Sequence, residues 1–242
     1  MSNSGYLLIA DISGYTNFVK LHNLRKKPVV GKFLANNFEF HAEAIISDLL
    51  EAVIEVIEPV LKLNKLEGDA AFFYRDDNGN KDQADQILEV MDNANKAFNE
   101  KASKLVFVQA CGCEPCLESK NLKLKIVAHK GIFTIKKIRT FEELAGEDVI
   151  LTHRMLKNNI KSNEYWMITD NFAKFLSPEN KKKFSPIIQN LESFGKIKFN
   201  YLQLSSPDPK NNKIEKRSRL FNWFVQAAYF SSAKFRKKQF HN

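Results

Sequence analysis

The chain contains 242 residues, of which 44% are hydrophobic and 12% aromatic, a composition that supports one sizeable core and excludes a largely disordered protein. It has no run of 18 apolar residues and no signal-peptide pattern after Met1, so we expect a soluble, cytoplasmic protein. The formal net charge is +9, but residues 210–242 hold nine basic side chains and one acidic one, which leaves only +1 for the first 209 residues.

A boundary between the two parts is predicted at residues 205–212, which are rich in Pro, Ser and Asn. We expect residues 1–204 to form one domain, and residues 205–242 to form a linker and a basic, aromatic C-terminal helix or tail. The tail can dock on the protein's own core, lie on a membrane surface or contact a nucleic-acid backbone. Docking is the commoner case for an apolar helix beside a domain, membrane contact comes second, and no nucleic-acid partner is expected.

The apolar pattern of residues 1–204 alternates between strand and helix periodicity. In chain order it predicts a strand at 6–10, helices at 15–21 and 33–56, a hairpin of strands at 60–65 and 70–74, a helix at 83–98, strands at 122–128 and 131–138, a helix at 150–158, a strand at 165–169, a helix at 170–175 and a strand at 196–204. Strands and helices in this order predict an α+β fold with a mixed, mostly antiparallel sheet flanked by helices.

Two carboxylates occupy special places in this pattern. Asp11 ends the first predicted strand, and Asp69 lies at the tip of the predicted hairpin. Strand ends and hairpin tips of one sheet can converge, and two hard oxygen donors there suit Mg²⁺ or Mn²⁺ with a phosphate ligand. The alternative is that each aspartate is an ordinary turn or cap residue.

Four segments then resemble the catalytic domain of class III nucleotidyl cyclases, and they occur in the order of that family. They are LIADISGYTNF at 8–18, KLEGDAAFF at 65–73, VAHKG at 127–131 and GEDVILTHR at 146–154. The amino-acid sequence of the second and fourth segments also resembles a cyclase-like branch known as a domain of unknown function. The resemblance covers about residues 6–204 and implies the ferredoxin-like-derived nucleotidyl cyclase fold.

The resemblance also implies a chemistry. Asp11 and Asp69, with the carbonyl of Ile12, fall on the positions that bind two Mg²⁺ or Mn²⁺ ions. The family converts ATP, or another nucleoside triphosphate, into a 3′,5′-cyclic nucleotide and pyrophosphate, as the ribose 3′-hydroxyl attacks the α-phosphorus. Such sites form between two catalytic domains, so a chain with one domain is expected to be a homodimer with two sites.

Four further residues fall on functional positions of the family. Lys65 and Glu143 match the positions that bind the base, and the lysine is the residue that adenylyl cyclases use to bind adenine. Arg154 matches the arginine that stabilises charge at the transition state, and Lys196 is a candidate for the phosphate-binding lysine of the final hairpin. These assignments favour ATP as the nucleotide.

One position departs from the family pattern. Ile150 stands where the family has its transition-state asparagine, and an isoleucine side chain cannot donate a hydrogen bond. Losing one such donor typically lowers turnover about 10²–10³-fold. Two hypotheses therefore remain: an adenylate cyclase-like lyase, and a degenerate cyclase domain that acts as a nucleotide-binding or regulatory module.

All three cysteines lie within residues 111–116, which excludes a disulfide scaffold. Cys111, Cys113 and Cys116 either form a structural zinc site or remain free, reduced thiols in a loop. The fourth zinc ligand would be His129, His41 or a group from the second chain of the dimer. The remaining lone histidines, His22 and His153 among them, are expected to be structural or exposed.

Overall fold

The computed structural model describes residues 2–22, 32–104 and 121–204, together with Ala228. The strands in this part are β1 (Ser2–Ser13), β2 (Lys62–Glu67), β3 (Ala70–Asp76), β4 (Lys123–Ile138), β5 (Phe141–Ala145), β6 (Tyr165–Thr169), β7 (Ser185–Leu191) and β8 (Gly195–Gln203). The helices are α1 (Tyr15–His22), α2 (Lys32–Ile57), α3 (Gln83–Lys104), α4 (Glu147–Met155), and the one-turn helices α5 (Asp170–Ala173) and α6 (Pro178–Lys181).

The strands form one sheet in the order β2-β3-β1-β4-β6-β8-β7, and β5 pairs with the second half of β4. Among the described strands, β4 and β6 make the parallel pair, and the other pairs are antiparallel. The predicted α+β class with a mixed, mostly antiparallel sheet is therefore confirmed. The long β4 is the centre of this arrangement, since β1 lies along one of its edges and β5 and β6 share the other.

The sheet is covered on both faces, and alternate residues of β1 point to the two cores. Leu8, Ala10 and Ile12 of β1 belong to a core formed with α1, α2 and α3. Leu7 and Ile9 belong to a second core on the opposite face, to which α4 contributes Val149 and Met155. Asp11 follows in the same alternation, so it lies on the α4 face of the sheet.

Apart from the one-turn helix α6 and shifted bounds of other elements, the structure differs from the predicted elements in four places. The strands predicted at 122–128 and 131–138 are one continuous strand, β4, and the helix predicted at 150–158 begins earlier, at Glu147. β5 and β7 are strands that the sequence pattern did not predict. Both carry mostly exposed or half-buried side chains, so they lack the apolar run on which the prediction depended.

Gly131 explains why the break in β4 was predicted wrongly. A side chain there would overlap the Asp148 carboxylate and the Nε2 atom of His129, so the glycine permits close packing of α4 against β4. The Asp148 Oδ2 atom accepts a hydrogen bond of 2.6 Å from the backbone N–H of Ile132, which fixes the start of α4 on the strand. This contact orients the helix that carries Ile150 and Arg154.

No helix in the described ranges combines the length and apolar character that a bilayer-spanning helix requires.

The boundary predicted at 205–212 and the C-terminal tail lie outside the described residues, apart from Ala228. The assignment of residues 205–242 to a linker and tail therefore stays a prediction.

The first testable prediction concerns Gly5, where β1 is closely flanked by both neighbouring strands. A Cβ atom there would overlap the carbonyl oxygen of Arg75 and lie 2.9 Å from the ring of Phe133. We expect Gly5→Ala to lower the free energy of unfolding by about 1–3 kcal/mol, because neither the backbone nor the buried ring can yield easily. Urea unfolding measures this change. Ser4→Ala, at an exposed neighbouring position, is the control and is expected to stay within about 0.5 kcal/mol of the native protein.

Candidate functional site

Asp11 and Asp69 are brought to the same end of the sheet by β1 and the β2–β3 hairpin. Glu67 pairs with Ala70, so the turn has two residues, and Gly68 occupies its first central position with a φ of 66°. Glycine at this position is typical of tight hairpin turns. The backbone N–H of Ile12 donates a 3.0 Å hydrogen bond to the carbonyl of Asp69, which joins the hairpin tip to the residue after Asp11.

A lysine that the sequence analysis missed lies beside these carboxylates. Lys125 of β4 pairs in register with Asp11 of β1, and its Nζ atom is 2.7 Å from Asp11 Oδ2. Both side chains are largely buried, with 20% and 16% exposure. The sequence analysis could not predict that Asp11 and Lys125 lie directly opposite each other, because this pairing depends on the β1–β4 register.

The charges around Asp69 suit a cation. Burial, together with the neighbouring carboxylate of Asp11, raises the pKa of Asp69 above its ordinary value, and Lys125 opposes this effect only in part. A divalent ion would relieve the repulsion, and two carboxylates with a backbone carbonyl are the oxygen ligands that Mg²⁺ and Mn²⁺ prefer. Among the described residues, no group of three or more His, Cys, Asp or Glu side chains is placed to hold a metal ion, so phosphate oxygens and water would have to complete the coordination.

Lys65 reaches the α4 face of the sheet because β2 contains a bulge. The pairing with β3 shifts between Leu63 and Lys65, so Asn64 is the extra residue. As a result, Lys62 and Lys65 pair with Tyr74 and Phe72, which both belong to the core on the α4 face. Without the bulge, an odd spacing of three residues would put the two lysines on opposite faces.

The bulge is held by β5, which the hairpin with β4 brings close to β2. The Asn64 side chain donates a 3.0 Å hydrogen bond to the carbonyl of Glu142, and Lys62 Nζ lies 3.0 Å from the Glu142 carboxylate. The next residue of β5, Glu143, accepts a hydrogen bond of 3.2 Å from Lys65 Nζ. The two residues predicted to bind the base are thus in direct contact.

Lys65 and Glu143 belong to a larger cluster, which we call the base cluster and which also contains Glu67 and His153. Lys65 Nζ is 3.1 Å from Glu67 Oε1, and His153 Nδ1 is 3.2 Å from Glu67 Oε2. Burial lowers the pKa of Lys65, but the hydrogen bonds that its ammonium donates to Glu67 and Glu143 outweigh this effect, and the net pKa is raised. The Lys65 side chain is therefore a stable ammonium ion between two carboxylates.

Two other predicted site residues, Arg154 and Lys196, make their contacts outside this cluster. Arg154, in the last turn of α4, donates a 2.7 Å hydrogen bond to Glu192 in the turn between β7 and β8. Lys196 is exposed on β8, opposite Asn190 of β7. Ile150 is 53% exposed on α4, one turn before Arg154. Because its side chain is exposed, Ile150 does not fill the core, and its position is suited to contact with a ligand or a second chain.

The zinc hypothesis stays a prediction. The three cysteines of residues 111–116 and the side chain of His41 lie outside the described part of the chain. His129 is a poor candidate for the fourth ligand. Its ring is buried, with Nδ1 2.9 Å from the Thr169 hydroxyl and Nε2 3.1 Å from Asp148 Oδ1. His153, by contrast, was expected to be structural or exposed, and it is part of the base cluster.

Comparison with known proteins identifies the family at the level of sequence. The model of a family described as "Protein of unknown function (DUF2652)" matches residues 46–165. The "Uncharacterized protein Rv2561/Rv2562" of Mycobacterium tuberculosis is 35% identical over 163 residues, which span 67% of this chain and 75% of that protein. Neither description assigns an activity.

Solved structures identify the fold. The adenylyl cyclase CyaB from P. aeruginosa is 13% identical, with a TM-score of 0.60 over 86% of this chain and 97% of that chain. A class III adenylyl cyclase-like ATP-binding protein from Pseudomonas aeruginosa is 17% identical, with a TM-score of 0.57 over 76% of this chain and 37% of that chain. The protein therefore belongs to the same family as the mycobacterial protein, and it has the fold of class III nucleotidyl cyclase catalytic domains.

Proposed function

We propose that this protein is a nucleotidyl cyclase that converts ATP into 3′,5′-cyclic AMP and pyrophosphate. The observation that carries the proposal is the convergence of Asp11 and Asp69 at the end of β1, fixed by the hydrogen bond between Ile12 and the carbonyl of Asp69. Two partly buried carboxylates next to each other repel one another, so their match to the metal-binding positions of the cyclase motifs supports a role in binding metal.

Asp11, Asp69 and the carbonyl of Ile12 would hold two Mg²⁺ or Mn²⁺ ions. When bound, the ions supply Lewis-acid activation of the ribose 3′-hydroxyl and neutralise charge on the triphosphate. Lys125 pairs with Asp11. With Asp11 acting as a metal ligand, the Lys125 ammonium group would be available to bind a phosphate oxygen.

Lys65 and Glu143 form a donor and acceptor pair that suits adenine. The Lys65 ammonium would donate to N1 of the base, and the Glu143 carboxylate would accept from the N6 amino group. Arg154 would stabilise negative charge on the reacting phosphate after leaving Glu192, which is 76% exposed and holds it weakly. Lys196 would contribute a second phosphate contact from β8.

The active form in this proposal is a homodimer, in which one chain supplies the aspartates and the other supplies Lys65 and Arg154. The contacts of the two groups are separate within the described chain: Asp11 pairs with Lys125, and Lys65 pairs with Glu67 and Glu143. Ile138 and Phe141, a register pair at the tip of the β4–β5 hairpin, are 61% and 70% exposed, which favours contact with another chain.

The second candidate is a binding module that holds nucleotide without turnover, and Ile150 is the residue that favours it. One of the similar solved structures is described as an adenylyl cyclase-like ATP-binding protein. Incubation of the purified protein with each of the four nucleoside triphosphates and Mn²⁺, followed by mass spectrometry, separates the candidates. A cyclic nucleotide supports the cyclase, whereas nucleotide binding without any cyclic product supports the binding module.

The second testable prediction is that Asp69→Asn removes activity and leaves the fold intact. The substitution keeps the shape of the side chain and removes one of two repelling charges, so we expect the melting temperature without metal to stay unchanged or to rise. Cyclic nucleotide formation with Mn²⁺ is expected to fall at least about 10²-fold, because one metal ligand is lost.

Asp92→Asn is the matched control for this experiment. Asp92 lies on an exposed part of α3, where it pairs with Lys96, and its replacement is expected to change neither turnover nor the melting temperature. Full turnover of Asp69→Asn would contradict the assignment of Asp69 as a metal ligand.

The third testable prediction is that Ile150→Asn raises turnover by about 10²-fold, because it restores one hydrogen-bond donor near the reacting phosphate. The exposure of Ile150 makes the polar replacement tolerable for the fold. Ile150→Ala is the control, since it removes the isoleucine without adding a donor. Equal turnover of the Asn and Ala variants would show that position 150 does not contact the transition state.

A further inference from the structure

His153 is placed where it competes with Lys65 for one carboxylate. The two oxygens of Glu67 are divided between these side chains: Oε1 is 3.1 Å from Lys65 Nζ, and Oε2 is 3.2 Å from His153 Nδ1. The imidazole is held in this position by the ring of Phe72, with ring centroids 4.8 Å apart and an angle of 61° between the rings. Glu67 therefore links a histidine of α4 to the lysine that would bind the base.

The competition follows from the number of partners that Lys65 has. Its ammonium has three N–H donors, and Glu67 and Glu143 already take two of them. A base that accepts a hydrogen bond from Lys65 gains most when Glu67 no longer attracts the ammonium away from it. A charged imidazolium attracts Glu67 more strongly than a neutral imidazole does, because hydrogen bonds between charged groups are stronger.

We propose that His153 is a positioning residue for base recognition, which in its protonated form binds Glu67 and leaves the ammonium of Lys65 to Glu143 and the base. The inference rests on the proposed binding of ATP and adds a regulation of the same site. It makes adenine nucleotide affinity depend on the protonation of a residue that touches neither the base nor the metal ions.

The direction of the pH dependence follows from the surroundings of His153. The charged groups that face it are Glu67 and Lys65 on β2 and Glu143 on β5, and Phe72 of β3 contributes only its ring. Burial lowers the pKa of His153, Glu67 opposes this effect, and Lys65 adds to it. His153 is therefore mostly neutral at pH 8 and becomes charged only below its ordinary pKa range, so adenine nucleotide affinity rises as the pH falls.

The fourth testable prediction uses 3′-deoxy-ATP with Mn²⁺, a probe that cannot cyclise because it lacks the attacking hydroxyl. Calorimetry at pH 8 and at one pH unit below the NMR titration midpoint of the His153 ring measures its affinity for the full chain and for His153→Gln. Comparing the two proteins cancels the titration of the ligand and of the metal site. We expect the affinity of the native protein to rise roughly fivefold more between these pH values than that of His153→Gln.

Glu67→Gln is the second variant. It removes the charge that Lys65 and His153 share, so we expect tight binding at both pH values and the same pH response as in His153→Gln. Identical pH responses of the native protein and His153→Gln overturn the inference and leave the proposed function standing. Failure of 3′-deoxy-ATP to bind at any pH overturns the inference and the proposed function together.

A nucleotide-independent measurement completes the test. The titration of the His153 ring, followed by NMR, is expected to occur at lower pH in Glu67→Gln than in the native protein, because the carboxylate that favours the imidazolium is gone. Saturation with 3′-deoxy-ATP is expected to move the titration of the native protein to higher pH, as linkage requires. An unchanged titration in either case contradicts the inference.

Discussion

The antiparallel pairing of β1 with β4 is the interaction on which the rest of the structure depends. Twelve register pairs, from Ser2 opposite Thr134 to Ser13 opposite Lys123, join these strands. This pairing sets the alternation that sends Leu8 into one core and Ile9 into the other. It also puts Asp11 opposite Lys125, and because β4 holds α4 through Asp148, the same pairing positions the helix that carries Arg154.

Three charged groups of the candidate site have partners of opposite charge within the chain. Asp11 has Lys125, Lys65 has two glutamates, and Arg154 has Glu192. These pairs let the fold carry a dense set of charges in the absence of a ligand, since an unpaired and partly buried charge is costly. Under the proposed function, a nucleotide with its metal ions would have to replace these internal partners, so binding would exchange one set of ion pairs for another and would not fill a neutral cavity.

The sequence predicted which residues belong to the site better than it predicted which of them contact one another. Periodicity located most helices and strands, and the cyclase motifs named Asp11, Asp69, Lys65, Glu143 and Arg154. Lys125 and His153 were missed because each becomes relevant only through a neighbour distant in the chain: Asp11 on the paired strand for Lys125, and Glu67 on β2 for His153 on α4. Gly131 was read as a break, since a glycine that permits close packing and one that ends a strand look alike in a sequence.

The extra residue at Asn64 makes the hairpin unusually sensitive to chain length. Side chains of a strand alternate between faces, so removing one residue there would turn Lys62 and the lysine at the base cluster to opposite sides. A conservative substitution at Asn64 would preserve this parity, and a single-codon deletion would not. Among natural variants of this family, we therefore expect the length of β2 to be a better indicator of an intact base cluster than the identity of the residue at the bulge.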